Sequence, residues 1–483
     1  MRARILLAVT GAGSAAMAVA SWWCAAIQAG RDTNTAAFVL FYIGLAAVIG
    51  AWLLLGRHVL AGACGARTVT RYALAGAVPL LGAAPFGRDL WAYAAQGNLV
   101  RHGIDPYTHG PSAVPGVFTA QVSPRWLDSA SPYGPIWLRI SHLGVDVSAS
   151  HPVIAVLLLR LPAMLGLLLC LWALPRLAER FRTTIGAGTP GTGTPGTGTP
   201  GTGTPGTGLW LGAASPLTVV LGVGGGHNDL FMLGLVLAGC AVATRGGERM
   251  LALGAAIVAL GVLVKSPAAI GLAFTVPLYL HANRLDRSVK NVVRACAVAV
   301  VSAAAVIVLA SLACGLGHGW TSQVNSDSQW ISWLSLPSAL VLFGRLVSGA
   351  SPLKHLDGTL RGFRTGGEVL TVVAVVALWF VAISRLKDGR TQLACLSAAL
   401  GAAALLAPSV QPWYYCWGLA LAGFVVTRRV VLWLLAAVGV LFPIMIMPSG
   451  SGMESDWRAF PVIAAALLLA AAATFGLESG NLA

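Results

Sequence analysis

The chain predicts an all-α, polytopic membrane protein of about 14 transmembrane helices, on three observations. Of its 483 residues, 57% are hydrophobic and 10% are charged, against about 25% charged in an average soluble domain. Apolar runs recur from one end to the other, with a mean hydropathy of +0.78. The bilayer is therefore the solvent for most of the chain, not for a single anchor. Finally, 19 of the 31 Lys and Arg fall in short segments on alternate sides of the apolar runs. That is the positive-inside signature of cytoplasmic loops. The net charge of +15 thus reports topology, with contact to anionic lipid as a side effect. It does not point to nucleic acid.

Taken in order, the expected spans lie near 5–28, 37–56, 72–86, 152–175, 209–226, 230–244, 250–264, 267–281, 293–314, 368–384, 391–408, 412–427, 430–447 and 459–476. The first has a basic start and small residues (Ala16, Ala18, Ala20) compatible with a cleaved signal peptide. Its apolar run continues through Trp22, Trp23 and Ile27, which favours an uncleaved helix. Several runs are shorter than the ~20 residues of an upright helix, so some spans are tilted or irregular. With the N-terminus inside, the outward segments are 29–36, 87–151, 227–229, the turn near 265, 315–367, 409–412 and 448–458. Leu336–Ala350 is apolar but short and carries Arg345. A crossing there would put Arg385, Lys387 and Arg390 outside, so a helix lying on the outer surface is expected.

The whole chain, 1–483, reads as one transmembrane domain. Thr189–Gly208 is four tandem copies of Thr-Pro-Gly-Thr-Gly, a composition that predicts a flexible cytoplasmic linker rather than a helix or core. The eight cysteines are scattered, with no CxxC or Cys/His cluster. They read as small buried hydrophobes, not as a zinc site or a disulfide framework.

Chemistry is expected in the outer segments. Asp89 and Asp229 abut the outer ends of long apolar runs with no polar buffer, which sets them at headgroup height, where a carboxylate is costly. Asp89–Arg101 reads as a helix, with Asp89, Tyr93 and Gln96 at i, i+4 and i+7 on one face. Asp89 also suits an N-cap or a pair with Arg88, and the two roles are compatible. Gly103-Ile104-Asp105-Pro106-Tyr107 is a turn sequence, and the Pro corners of Pro132-Tyr133-Gly134-Pro135 imply a rigid loop. Gly224–Asp229 is a tight turn. It is either a glycine hinge with Asn228 or Asp229 capping the next helix, or a polar cluster that binds sugar hydroxyls or orients a base. One His, one Asn and one Asp leave a metal site incomplete. Lys265 either snorkels to the headgroups or contacts the phosphate of a lipid donor. Trp413 and Tyr414 fit an aromatic belt or a surface against sugar and prenyl chain.

Together these segments resemble the polyprenyl-phosphate-mannose-dependent α-(1→6)-mannosyltransferases of actinobacteria, polytopic enzymes of the GT-C group that extend the mannan backbone of lipomannan and lipoarabinomannan. The matching pieces, in the family's order, are Gly87-Arg88-Asp89 with Tyr93–Gly97, Gly103–Tyr107, Pro132–Pro135, His227-Asn228-Asp229, Val264-Lys265, Trp333-Leu334-Ser335 and Pro412–Tyr415. The resemblance implies a polyprenyl-phosphate β-mannose donor and a mannan glycolipid acceptor at the outer face of the plasma membrane. It implies Asp89 as general base, with Lys265 and Arg88 steadying the leaving phosphate. Tyr93, Gln96, Asp105, Tyr107, Tyr133, His227 and Asn228 become candidate sugar contacts. No cofactor and no essential metal are expected. Two rivals stand beside it. One is the same architecture acting on another lipid-linked sugar, such as arabinofuranose or glucose. The other is a transporter or lipid flippase, for which Arg160 is the nearest thing to a midplane charge.

Overall fold

The computed structural model describes residues 2–28, 35–181, 202–323, 331–350 and 358–446. Every element among them is helical: α1 (Arg2–Gln28), α2 (Thr35–Leu60), α3 (Ala66–Leu80), α4 (Asp89–Arg101), α5 (Pro135–Val147), α6 (Pro152–Leu158), α7 (Leu161–Phe181), α8 (Pro205–Leu211), a π-helical stretch (Leu217–Gly224), α9 (Asn228–Ala243), α10 (Gly247–Val262), α11 (Ala268–Ala282), α12 (Val289–Cys314), α13 (Trp320–Gln323), α14 (Leu336–Val347), α15 (Gly358–Ser384), α16 (Gly389–Leu406), α17 (Cys416–Val425) and α18 (Arg429–Ile444), with 3-10 turns at Pro111–Ala113 and Pro412–Tyr415. Each expected span up to 430–447 coincides with one or two of these helices, and 459–476 lies outside the described residues. By length and composition, six are able to cross a membrane: Ala3–Ala25, Thr35–Leu60, Pro152–Phe181, Val289–Cys314, Gly358–Ser384 and Gly389–Leu406. The other spans are shorter helices. α12 and α15 expose rows of apolar side chains, among them Val300, Val301, Leu309, Leu312, Val372, Val373 and Phe380. Such surfaces suit lipid.

The contacts divide the chain into two compact units, each assembled from separated segments. Unit 1 comprises Met1–Gly87, Leu174–Gly225 and Leu419–Ala483. At its centre Trp52 stacks on Trp210 with ring centroids 4.9 Å apart. Each indole N–H donates to the other residue's carbonyl oxygen, at 2.9 and 3.0 Å. Both rings are buried with their polar atoms satisfied, as apolar surroundings require.

The repeat corrects one expectation. Residues 189–201 lie outside the described residues, but the last copy, Thr204–Gly208, opens α8 instead of forming linker. Pro205 sits at the first helical position, where its missing N–H costs nothing. The Thr204 side chain caps the helix by accepting from the Thr207 N–H at 3.1 Å. Gly206, Thr207 and Gly208 are buried, and a Cβ on Gly208 would stand 2.1 Å from the Phe424 ring. Composition alone hid this, because the same residues serve as linker or as N-cap, N1 and close contact.

Unit 2 comprises Arg88–Ala173 and Gly226–Gly418. One part of its core gathers Ala243, Leu251, Ala255, Val276, Tyr279, Leu280, Ala295 and Ala299 from α9 to α12. α14 is amphipathic, burying Pro337, Ser338, Val341 and Leu342 while Leu340, Phe343 and Leu346 stay exposed. All the site residues expected from sequence fall within unit 2.

Candidate active site

The site is built on two helix starts and two loops of unit 2. At the first start, Arg88 is the N-cap residue and Asp89 the first helical residue of α4. Asp89 therefore sits in the first turn, where a negative charge suits the helix dipole, but it is not the cap. One helical face then carries Asp89, Tyr93 and Gln96, and all three line a narrow polar cavity of about 30 Å³. Its other walls come from Trp126, Ser129 and Tyr133 of the loop between α4 and α5, Lys265, and Gln411, Trp413 and Tyr414.

The second start is the Gly226–Asp229 turn before α9. Gly226 has φ +68°, which favours glycine, and a Cβ there would sit 2.7 Å from Leu90. This close approach runs the turn along the beginning of α4. His227 Nδ1 lies 3.4 Å from Asp89 Oδ2. The Tyr93 hydroxyl donates to Asn228 Oδ1 at 3.5 Å. His227 stacks flat on Trp413, with ring centroids 3.4 Å apart and planes 12° apart. Asp229 is buried and takes both of its oxygens to Lys265 Nζ, at 2.9 and 2.8 Å.

Lys265 follows α10 in a turn that the start of α5 clamps. The N–H groups of Gly134, Ile136 and Trp137 donate to the carbonyls of Val264 and Leu263 at 3.2 to 3.4 Å. These are orphan donors at the start of α5, and the carbonyls ending α10 satisfy them. The clamp sets Tyr133 beside Lys265, whose Nζ stands 4.3 Å from the Tyr414 ring centroid and 5.8 Å from that of Tyr133. Burial disfavours the ammonium, but Asp229 and Tyr414 outweigh it and hold the Lys265 pKa above its usual value. Burial, together with Asp89 and Asp229, likewise raises the Tyr93 hydroxyl, which stays protonated.

A second cavity, of about 400 Å³, meets the first. Pro132, Tyr133, Lys265 and Tyr414 line both. The larger one continues as a mostly apolar groove along Pro267, Ile270, Thr371, Ala403, Ala407 and Trp417, with Glu368 as its other charged residue. The 3-10 turn at Pro412–Tyr415 is anchored by the Trp333–Ser335 segment. The Tyr415 hydroxyl donates to the Leu334 carbonyl at 2.8 Å, and Ser335 Oγ to that of Ala407 at 2.7 Å.

Three comparisons with known proteins bear on the site. A family model described as α-(1→6)-mannopyranosyltransferase, N-terminal domain, matches residues 1–189 and 201–281. A second, described as MptB C-terminal domain, matches 339–476. α-(1→6)-Mannopyranosyltransferase A of Mycobacterium tuberculosis is 30% identical over 446 residues, covering 89% of this chain and 80% of its own. The protein of that name from Corynebacterium glutamicum is 28% identical, covering 89% and 86%. A probable α-(1→6)-mannopyranosyltransferase of Mycolicibacterium smegmatis is 32% identical, covering 76% and 67%. The chain belongs to the α-(1→6)-mannopyranosyltransferase family. No solved structure matches it. The N-terminal match of this mannopyranosyltransferase family member contains Asp89 through Lys265, and the C-terminal match contains Trp413 and Tyr414. The break in the first match falls inside the Thr-Pro-Gly-Thr-Gly repeat.

Of the residues expected from sequence, Asp89, Tyr93, Gln96, Tyr133, Lys265, Trp413 and Tyr414 meet at the polar cavity. His227, Asn228 and Asp229 stand behind its walls, buried and in contact with Asp89, Tyr93 and Lys265 respectively. Arg88, Asp105 and Tyr107 line neither cavity. Arg88 is exposed. Asp105 turns its carboxylate onto the Tyr107 N–H at 2.9 Å, holding its own turn. Tyr107 is buried and packs against Gly319. Sequence reasoning missed Trp126, Ser129 and Glu368. An aromatic in a Pro/Ser-rich loop was a signal for Trp126, and an acid at the edge of an apolar run was one for Glu368.

Proposed function

We propose that this chain moves mannose from polyprenyl-phosphate β-mannose to the 6-hydroxyl of an α-(1→6)-mannan acceptor of the lipomannan and lipoarabinomannan type, at the outer face of the plasma membrane. The observation that carries the reading is the junction at Lys265. This lysine lines both the narrow polar cavity with Asp89 and the roomy apolar groove. The prenyl chain lies in the groove, its phosphate at Lys265 and its mannosyl group toward Asp89.

Asp89 takes the proton of the acceptor 6-hydroxyl as that oxygen bonds to the anomeric carbon. The bond from that carbon to the phosphate oxygen breaks, and the electron pair leaves with the polyprenyl phosphate. Attack from the face opposite the phosphate inverts β to α. Lys265, kept charged by Asp229, meets the charge that develops on the leaving oxygen. Gln96, Ser129 and the Tyr93–Tyr133 pair offer polar contacts to sugar hydroxyls, and Trp126 and Trp413 offer aromatic faces. One ammonium suffices for a monophosphate leaving group, so no metal is assigned a step.

Membranes carrying the full chain, supplied with radiolabelled polyprenyl-phosphate mannose, arabinofuranose or glucose, test the reading. The expected result is mannose transfer in α-(1→6) linkage, absent from the other two sugars and lost in Asp89→Ala. Equal use of another sugar, or wild-type transfer by Asp89→Ala, overturns it.

A further inference from the structure

We propose that His227 is a positioning residue for Asp89: it holds one carboxylate oxygen from behind the cavity wall, so that the other faces the acceptor hydroxyl. The inference rests on the reading of Asp89 as the base and adds how that base is aimed.

Three observations separate this role from a sugar contact. First, His227 is 3% exposed and lines neither cavity, whereas Asp89 is 22% exposed and lines the polar one. A sugar in that cavity meets Asp89 and not the imidazole. Second, the ring has little freedom. Its backbone is pinned by Gly226 against Leu90, and its face lies on Trp413. Third, Nδ1 is buried without a hydrogen-bond partner, and Asp89 Oδ2 stands 3.4 Å away. A hydrogen bond to a carboxylate is shorter, about 2.7–2.9 Å, and more nearly linear, so the Asp89 carboxylate completes it by both closing on Nδ1 and turning into line with its N–H. A buried N–H gains strongly from that partner.

With the proton on Nδ1, His227 donates to Oδ2 and fixes the plane of the carboxylate. Oδ1 then points into the cavity with its lone pair free. During transfer the acceptor proton passes to Oδ1, the electron pair of the broken glycosyl bond leaves on the phosphate, and His227 neither gains nor loses a proton. Trp413 adds a further link, because the ring that supports His227 on one side forms part of the cavity wall.

The test uses the full chain in membranes or detergent, with polyprenyl-phosphate mannose and a mannan acceptor, comparing wild type with His227→Phe, His227→Asn and Asp89→Asn. Phe keeps the stack on Trp413 and removes the donor, and Asn restores an N–H close to the place of Nδ1. His227→Phe is expected to lower kcat by about 10²-fold, the scale for a misaimed group, with both KM values held within about twofold as for a group acting in the transition state alone. His227→Asn recovers most of that loss. Should Phe not accumulate as folded protein, His227→Gln takes its place, because its amide reaches toward Nε2 instead of Nδ1, and the same kcat loss is expected. Wild-type kcat in Phe or Gln, or a raised acceptor KM at unchanged kcat, overturns the inference while Asp89→Asn stays inactive. Full activity in Asp89→Asn instead overturns the reading of the base itself.

Discussion

The two cavities of unit 2 share a wall yet differ in almost every other respect. The one holding Asp89 has a volume of about 30 Å³ and is edged by Gln96, Ser129, Lys265 and Gln411 among aromatic rings. The one running along Ile270, Ala403 and Trp417 has about 400 Å³ and only Lys265 and Glu368 as charged residues. The first is narrow because its polar groups come from one face of α4, the turn at Lys265 and two Pro-bounded loops that are packed together. The second is roomy because small residues, Ala403 and Ala407, meet the weakly buried helix α15. A reacting sugar must be held in a single geometry, whereas a prenyl chain needs only apolar surface. On the proposed function, chemistry belongs to the first cavity and anchoring to the second, and substitutions can break that division.

The largest effect is expected at Asp89. Asp89→Asn keeps shape and removes the base, so turnover at saturating donor should fall by about 10² to 10⁴-fold, the usual worth of a general base. Retention of the lipid donor, measured by photocrosslinking in the groove, should be unchanged. Loss of donor binding in this variant would show that the two cavities are not separable in function.

Lys265 comes next, because it belongs to both. It is paired with an Asp229 that is only 1% exposed, and removing one member of a buried pair costs about 3–5 kcal/mol. Lys265→Met should therefore lower the unfolding midpoint in detergent as well as transfer. The double variant Asp229→Leu with Lys265→Met replaces the pair with apolar groups and should recover most of the stability. It should not recover mannose transfer. Recovery of both would mean that the lysine serves only the wall.

Much of this arrangement was legible in the sequence, for local reasons. Hydropathy located the helices, and the i, i+4, i+7 spacing put Asp89, Tyr93 and Gln96 on the face that lines the polar cavity. The Asp105-Pro106 turn was legible too, but its use was not. The carboxylate is taken by its own backbone at Tyr107, a contact as local as the turn itself. What escaped depends on long-range contacts. Trp126 reaches the cavity through a loop tied down by Ser112 N–H to the Leu127 carbonyl, 2.8 Å, and Ser131 N–H to that of Pro106, 2.8 Å. The Asp229–Lys265 pair spans 36 residues, so each read alone as a lone charge.

Gly134 offers a smaller and more selective break. A Cβ there would stand 2.1 Å from the Leu263 carbonyl oxygen, where the loop entering α5 clamps the turn before Lys265. Gly134→Ala should cost about 1–3 kcal/mol, the range for overpacking. It should also loosen Tyr133 from Lys265, raising donor and acceptor KM together because Tyr133 lines both cavities. Steady-state kinetics with each substrate varied in turn would read this, and a change confined to one substrate would show that the shared wall is less shared than its contacts imply.

The smallest effect is expected in the groove, where it sharpens the comparison most. Ala403 is buried near the end of α16 and lines only the larger cavity. Ala403→Phe extends a ring into about 400 Å³ of space, so some of its bulk is accommodated without strain. The donor KM should rise by about fivefold for a full-length prenyl donor, on the order of 1 kcal/mol of lost chain contact, with kcat and acceptor KM unchanged. A donor analogue with a short prenyl chain should not register the ring at all, because each CH₂ that never enters the groove forgoes its ~0.8 kcal/mol in both proteins. Equal KM shifts for long and short donors would place the ring's effect at the phosphate junction and not along the chain, and the boundary between the two cavities would then have to be drawn farther from Lys265.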